Sequence, residues 1–461
     1  MELPSRLQQW LDNANAQFEL LPHEPGRSFA ELAGSLKIPI EAVIRAVPLA
    51  DSQGRLIALV PANYLLDFEA LQALTMRELD VLSMAESQTH FTGCAPNCRP
   101  ALANVFGWKV VCDEAIFSHD RLYCESGSGD SLLGFSRAEF RRLLGEVGCG
   151  HIGLPPDALK GAVSEMAQEE VVTHFMPLRL KQRVQETFDL PAMPDMANDI
   201  MKLRVDPHAS ARDLANIVNR DPSLAAQIMS WANSPYYGFS GRIPSLEMAI
   251  MRVLGFEMVL NLALGIVVGR SLKVPREGPL GLKAFWTHSI LCAVLAERLC
   301  QRMPAKFRPP RGMVYLSGLL HNFGHLLLGH VFPPQFFLVN RYVAANPAVQ
   351  VDVIERHVLG VSHEEIGAWL MQAWHMPEEL ITAVRWHHQE EFSSPYAVYS
   401  NLVLIANRLL KRLNIGDAGS SHLPAAVMAS LHLTGDEVEG EFEQLRDKRA
   451  ELEALAQKLA A

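Results

Sequence analysis

The sequence predicts a multidomain chain: an α+β domain over residues 1–150, a linker at 151–175, an all-α domain over 176–415 and a helical tail at 416–461. Three observations predict it. Strand-like apolar runs are confined to roughly the first third of the chain. Beyond it, apolar residues recur at helical spacing behind capping residues. Between the two lies "GCGHIGLPPDALKG" (148–161), dense in Gly and Pro, which reads as a linker.

The elements follow in order. "MELPSRLQQWLDNA" is amphipathic and acidic, without the apolar core of a signal peptide. "RLIALVPA" (55–62) and "WKVVCDEAIF" (108–117) read as strands, and "FEALQALTMREL" (68–79) between them as a helix. Past the linker, Ser210 with Asp213 three residues on makes a capping-box start, and Leu214, Ile217 and Val218 share one face. Asp221 then stands at an N-cap with Pro222 at the first helical position, where its missing N–H costs nothing. "NSPYYGFSGRIPS" (233–245) ends that helix with turn formers. "LGFEMVLNLALGIVVG" (254–269) is the most membrane-like stretch. It is short and carries Glu257 and Asn261, so it is expected as a buried helix. Trp231, Trp286, Trp369 and Trp374 lie in helical apolar stretches and are expected in the core. In the tail, Phe442, Leu445, Leu452, Ala456 and Leu459 repeat at coiled-coil spacing with Arg449 intruding, which fits a helix docked on its own domain or a short coiled coil.

Composition narrows the function. Apolar residues make up 49% and charged residues 20%, ordinary for a globular protein. A net charge of −10 gives no overall attraction to nucleic acid or anionic lipid. Seven cysteines in so long a chain point to reduced thiols and a cytoplasmic setting. Cys94, Cys98, Cys112 and Cys124 are either buried free thiols or zinc ligands; the wide gap between the last two favours thiols.

The chemistry-bearing residues are histidines. Nine of the seventeen fall between 288 and 388. A metal-dependent phosphohydrolase needs imidazoles and carboxylates converging on a cation, which polarises the phosphoryl group and generates hydroxide. "FWTHS" (285–289), "GLLHNFGHLLL" (318–328), "GVSHEEIGAWLMQAWHMP" (360–377), "VRWHH" (384–388) and "LIANRLL" (404–410) resemble, in order, the landmarks of the HD superfamily. "LPAMPDMANDIM" (190–201), "IVNRDPSLAAQIMSWANSPYYG" (217–238) and "SLEMAIMRVLGFEMV" (245–259) resemble its HDOD branch, the HD-related output domain. The resemblance implies an all-α fold and places the superfamily's ligand positions at His288, His321, Asn322 and Asn407. In catalytic HD enzymes the last two are carboxylates. Each Asp→Asn difference removes a negative charge from the cation's neighbours, ~5 kcal/mol of attraction per unit of cation charge at ~3 Å and an effective dielectric near 20. No catalytic residue is therefore expected, and Asn322 is expected to serve as a structural hydrogen-bonding group. His363, His387 and His388 stand where the related HD-GYP phosphodiesterases carry further ligands. They are either packed core histidines or an imidazole site for Zn²⁺ or Ni²⁺. The expected cofactor is thus none, or a weakly or imidazole-bound divalent metal.

The first 150 residues resemble the YbaK-type aminoacyl-tRNA deacylases, or prolyl-tRNA editing domains. The resemblance runs through "FELLPHEPGRSFAELAGSLKIPIEAVIRAVPL" (18–49), "LIALVPANYLLD" (56–67), "SQTHFTGCAPNCRP" (87–100) and "LYCESGSGDSLLGFSRAEFRRLL" (122–144). It implies a pocket with a lysine where this chain has Arg45, and a Gly-Gly turn before proline where this chain has "APNCRP". Gly93 and Pro100 fit the pattern, whereas Asn97 and Cys98 occupy glycine positions. Residues 1–150 carry 19 acidic and 12 basic side chains, a net of −7 that does not suit a phosphate backbone. The expectation is a degenerate pocket (Arg45, Gly93, Cys98, Pro100) that binds an amino acid, a nucleotide or a protein partner rather than tRNA.

Together these readings describe a non-catalytic bacterial signal-transduction protein, cytoplasmic, with a regulatory protein partner and no membrane association. Two other activities stay open: a metal-dependent phosphohydrolase or cyclic-nucleotide phosphodiesterase, and an aminoacyl-tRNA editing deacylase.

Overall fold

The computed structural model describes residues 3–159 and 192–460, apart from 25–27, 97, 240–242 and 348. Most of the expected linker, and Asn97, lie outside the described residues. The chain forms two compact units, Met1–Glu169 with Arg341–Val349, and Glu170–Asn340 with Gln350–Ala461.

The first unit is built on a mixed eight-stranded sheet. Its strands are β1 (Glu19–Pro22), β2 (Val43–Asp51), β3 (Gly54–Pro61), β5 (Asp80–Val81), β6 (Lys109–Asp113), β7 (Arg121–Glu125), β8 (Ser131–Ser136) and β9 (Gly148–Gly150). The order is β1-β8-β7-β2-β3-β6-β9, with β5 also on β2. A separate pair joins β4 (Leu65–Leu66) to β10 (Gly153–Leu154). β2 and β3 form an antiparallel hairpin that sets Arg45 opposite Val60, while β7 and β6 flank that hairpin in parallel. Side chains alternate across the central strands, and both faces are covered. Ile44, Ala46, Ile57 and Leu59 join a core with Leu7 and Leu11 of α1 (Ser5–Asn13) and Phe140 of α5 (Arg137–Leu144). Val43 points the other way, to Leu32 and Ala33 of α2 (Phe29–Leu36). Helix α3 (Phe68–Thr75) starts at Asp67, whose carboxylate accepts from the N–H groups of Glu69 and Ala70; α4 spans Met84–Gln88.

The linker reading is corrected over 148–154. Gly148, Gly150 and Gly153 lie in β9 and β10, and Asp113 at the end of β6 accepts from the backbone N–H of Ile152 (2.7 Å) and Gly153 (2.6 Å). A single carboxylate thereby holds a Gly/Pro-rich segment in the fold, and the first domain runs past the expected boundary at 150.

The second unit is all helical. It contains α6 (Asp195–Val205), α7 (Ala211–Val218), α8 (Pro222–Ala232), α9 (Leu246–Ala249), α10 (Phe256–Arg270), α11 (Leu282–Arg302), α12 (Arg311–Leu320) and α13 (Phe323–Val331). Then come the start of α14 (Pro333–Ala345), α15 (Val351–Leu359), α16 (His363–Ala373), α17 (Glu378–Trp386), α18 (Ala397–Lys411), α19 (Ala425–Ser430), α20 (Gly435–Asp447) and α21 (Arg449–Leu459). The expected caps are present: Ser210 and Asp213 form a reciprocal capping box, and Asp221 caps α8 with Pro222 behind it. Helix α10 is the expected buried helix, with Val259 through Gly269 all buried. Among the described residues no single helix is long and apolar enough to cross a membrane. Only the pair Leu246–Leu254 and Phe256–Arg270, bent by 118°, meets that length and composition. Trp231, Trp286 and Trp374 are buried and Trp369 is half-buried.

The apolar repeat of the tail lies on two helices, α20 and α21, broken at Lys448, and docks as a helix on its own domain, not as a coiled coil. Phe442, Leu445, Leu452, Ala456 and Leu459 are all buried within their own unit. Glu441 of α20, itself buried, pairs with Arg298 (2.6 Å) and Arg302 (2.5 Å) of α11, and Arg449 turns outward to Glu453. The apolar repeat therefore faces helices of the same chain.

Helices α13 and α16 meet at Gly324, where an added Cβ would collide with the backbone carbonyl of His363. Backbone cannot rotate away as a side-chain tip does. Gly324→Ala is expected to lose ~2 kcal/mol or more through overpacking, read as a lowered midpoint in denaturant unfolding.

Candidate functional site

The histidine-rich motifs converge in the second unit. His288 comes from the middle of α11, His321 and Asn322 from the break between α12 and α13, and His363 from the start of α16. His387 and His388 follow the end of α17, and Asn407 lies near the end of α18. All seven are buried. The structure thus gathers every position that the HD resemblance marked.

It also adds a residue that the sequence reading left out. Asp417, six residues past α18 and 3% exposed, places its carboxylate among them. Asn407 Nδ2 donates to one oxygen (2.5 Å) and Asn322 Nδ2 to the other (2.6 Å). The expectation of a pocket without any anionic side chain is corrected: the two amides stand at the carboxylate positions, and a carboxylate from the tail stands between them. Gly416 makes this possible. Its φ is +90°, and a Cβ there would lie 2.5 Å from His288 Nε2 and 2.8 Å from Asn407 Oδ1. Only glycine allows both the left-handed turn and the close approach.

The hydrogen bonds assign the ring protons. Asn407 Oδ1 can only accept, so His288 Nε2 donates to it (3.0 Å). His288 Nδ1 then accepts from Asn322 Nδ2 (3.2 Å). Both nitrogens of His288 are committed, and burial lowers its pKa, so it stays neutral. His321 Nδ1 donates to the carbonyl of Gly318 (2.7 Å) and His387 Nδ1 to that of Val384 (2.8 Å), leaving each Nε2 with a lone pair. Burial, reinforced by neighbouring imidazoles, holds both well below the usual histidine range.

A second carboxylate backs the first. Glu355 of α15, fully buried, accepts from His325 Nε2 (2.8 Å) and from His363 through both Nδ1 (2.7 Å) and the backbone N–H (2.8 Å). Burial opposes ionisation on both sides of this contact, but the pair's mutual attraction prevails. Glu355 is held down to about 2, and His363, with Glu364 and Asp417 also near, is pushed up to about 10. Asp417 is likewise held well below the carboxylate range, burial being outweighed by His388, His288 and His363. His388 Nε2 lies 3.6 Å from the Asp417 carboxylate, within ion-pair but beyond hydrogen-bond reach, and His321 Nε2 has no hydrogen-bond partner among the described residues.

In the first unit the expected pocket divides. Gly93 (φ +82°) leads into Cys94, which gathers with Cys98 and Pro100 around the Gly127–Gly129 turn: Cβ atoms at 127 and 129 would meet Cys94 and Pro100 (both 3.0 Å) and Cys98 (3.4 Å). Burial pushes the Cys98 thiol up to about 12, so it is not a nucleophile at neutral pH. The candidate metal-ligand groups among the described residues include no cysteine. Arg45 has other partners. It is 4% exposed and donates to the carbonyl of Tyr64 (2.8 Å), to Asn346 Oδ1 (2.9 Å) and to the carbonyl of Ala345, the last residue of α14. Asn346 Oδ1 also accepts from Leu66 N–H (2.7 Å). The segment is anchored beside it by Arg341, whose Nε lies 3.3 Å from Asp80, and by Tyr342, edge-on to Phe68. A helix C-terminus carries partial negative charge, and a guanidinium fork can bond a carbonyl and a carboxamide together. Burial draws Arg45 down to about 10, which leaves it charged at neutral pH.

These features define a class: a mixed-sheet domain of the aminoacyl-tRNA editing type with an HD-type helical domain whose ligand positions are altered. Comparison with known proteins agrees. The HDOD domain family matches residues 190–390 and the aminoacyl-tRNA editing domain family residues 23–143. The crystal structure of a candidate signal-transduction protein from Marinobacter aquaeolei VT8 is 32% identical over 100% of both chains, with a TM-score of 0.82. An HDOD domain protein of unknown function from Geobacter sulfurreducens is 23% identical, covers 61% of this chain and 97% of its own, and has a TM-score of 0.50. An uncharacterized Treponema pallidum (strain Nichols) protein is 23% identical over 54% of this chain; the match spans 47% of that protein, about half its length. The chain belongs to the HDOD family, with an aminoacyl-tRNA editing domain ahead of the HDOD domain, and its likeness to a candidate signal-transduction protein supports a signalling or regulatory role.

Two substitutions test the geometry. Gly416→Ala is expected to cost ~2 kcal/mol or more from positive-φ strain alone, seen as a fall in thermal midpoint with the helical circular dichroism of the folded state kept. Arg45→Lys keeps the charge but loses the fork; ~1–2 kcal/mol of stability is expected to go with the lost hydrogen bonds, read by denaturant unfolding.

Proposed function

We propose that the chain is a non-catalytic signalling regulator in which both inherited active sites serve as binding or structural centres. The observation that carries this reading is the Asp417 carboxylate held between the amides of Asn322 and Asn407. A phosphohydrolase of the HD type needs anionic oxygen at those two positions to hold a hard cation. Here both positions present N–H groups that hold the Asp417 carboxylate, and neither offers a cation an anionic oxygen. His288, with both nitrogens engaged, has no lone pair to give.

The editing-type pocket supports the same reading. A deacylase must stabilise an oxyanion and admit an aminoacyl ester. The cation at the family's lysine position is instead spent on Tyr64, Ala345 and Asn346. We therefore assign the first unit to binding a regulatory protein partner or a small ligand such as an amino acid or nucleotide, and not to tRNA.

The test is direct assay of untagged protein. With Mg²⁺, Mn²⁺ or Fe²⁺ it is expected to hydrolyse neither bis(p-nitrophenyl) phosphate nor cyclic di-GMP above the metal-only background, and to leave mischarged prolyl-tRNA intact. Phosphodiester turnover that vanishes in Asp417→Asn, or deacylation that vanishes in Arg45→Ala, would restore the enzymatic alternatives.

A further inference from the structure

Two cysteines of the sheet unit face each other across neighbouring strands. β6 and β9 run parallel, and Cys112 stands in direct register with Cys149. Neighbouring strands lie ~4.8 Å apart, within the ~4.4–6.8 Å that a disulfide spans between Cα atoms. Cys112 Sγ and Cys149 Sγ are 2.7 Å apart, a direct thiol contact. Joining them asks for no rearrangement of the ladder.

The two thiols differ in access. Cys112 is fully buried in the core of the sheet unit. Of the seven cysteines, all among the described residues, Cys149 alone is exposed. β9 ends the strand order, so it lies at an edge of the sheet, where a solvent-borne oxidant reaches Cys149. Burial and the contact with Cys149 push the Cys112 thiol well above the usual thiol range, so the first attack falls to Cys149. The strand itself is weakly held. β9 reads Gly-Cys-Gly and makes three register pairs with β6. Glycine weakens a strand and brings no side chain to pack, so Cys149 is the side chain through which β9 can be fastened. Exposed pairs of this kind are the ones that thiol–disulfide exchange opens and closes.

We propose that Cys112 and Cys149 form a reversible disulfide, closed by a low-molecular-weight disulfide such as oxidised glutathione and opened by excess thiol. Cys149 gives its proton to solvent, and its thiolate attacks one sulfur of the small disulfide. That S–S bond breaks, a mixed disulfide forms on Cys149, and one small thiolate leaves. Cys112 passes its proton to this thiolate, and its sulfur attacks Cys149 Sγ. The mixed disulfide breaks, the Cys112–Cys149 bond forms, and a second small thiolate leaves and takes a proton from solvent. Two protein thiols are oxidised by two electrons, and one small disulfide is reduced to two thiols. The new bond ties the edge strand to β6, whose Asp113 already holds Ile152 and Gly153. It also closes the chain carrying β7, β8 and α5 into a loop, which restricts the unfolded state. The proposal does not rest on the regulatory reading, since it is read by thiol content and stability.

The test uses the reduced full-length chain, incubated with excess oxidised glutathione, quenched with N-ethylmaleimide and digested. Mass spectrometry is expected to find peptides linked through Cys112 and Cys149, and to lose them after dithiothreitol. The thermal midpoint is expected to rise by several degrees on oxidation and to return on reduction. Cys112→Ser should stop at a glutathione adduct on Cys149. Cys149→Ser should leave Cys112 unmodified in the folded protein, and neither variant should show the thermal shift. Folding is checked by circular dichroism; if Cys112→Ser does not fold, Cys149→Ser, at the exposed position, decides. Unaltered protein that keeps both thiols free, or halts at a lasting glutathione adduct on Cys149, overturns the proposal. So do a disulfide that joins either cysteine to a different one, and closure that leaves the thermal midpoint where it was.

Discussion

The helical unit is organised around one buried anion. Asp417 enters a core of buried imidazoles, among them His363, which is held in its charged form, and two amide donors receive it. An isolated carboxylate in such a place would be costly enough to unfold the region or take up a proton. Two short hydrogen bonds and several nearby histidines make the ionised form the favoured one. From that anion the rest of the site follows: the amide orientation, the tautomer of His288 and the glycine beside it.

Glu355 repeats the arrangement one layer away. It is fully buried and fully partnered, by His325 and by both N–H groups of His363. The two carboxylates face His363 from opposite sides of its ring, through Nδ1 and Nε2. A ring held in this way has little rotational freedom, which makes the cluster a rigid centre, not a flexible pocket. The close contact of α13 and α16 at Gly324 draws its walls together.

The sheet unit solves the opposite problem. Arg45 is a buried cation whose partners are neutral oxygens, including the carbonyl that ends α14. Where a lysine would present a single ammonium, the planar fork spans three acceptors at once. The side chain at the position where the sequence resemblance expects a pocket lysine caps the chain's own helix end.

The fold class, the helix caps and the seven histidine and asparagine positions were legible in the sequence because they rest on local periodicity, on capping chemistry within a few residues, and on motifs in a fixed order. The Gly/Pro-rich segment misled because its first part, residues 148–154, is tied into the sheet by Asp113, some forty residues earlier. The tail left two readings open because its apolar repeat fits a coiled coil as well as it fits α11; packing decides for the helix docked on its own domain. Asp417 and Asn346 left no local signal. One is a carboxylate in a short polar loop, the other an amide after a helix, and many residues of both kinds sit in solvent. What gives them meaning is what they meet on folding: two amides in one case, a buried guanidinium in the other. The sequence by itself determined which side chains were available and which elements would carry them. The tertiary structure decided the charge balance of the site, because that depends on distances between groups remote along the chain.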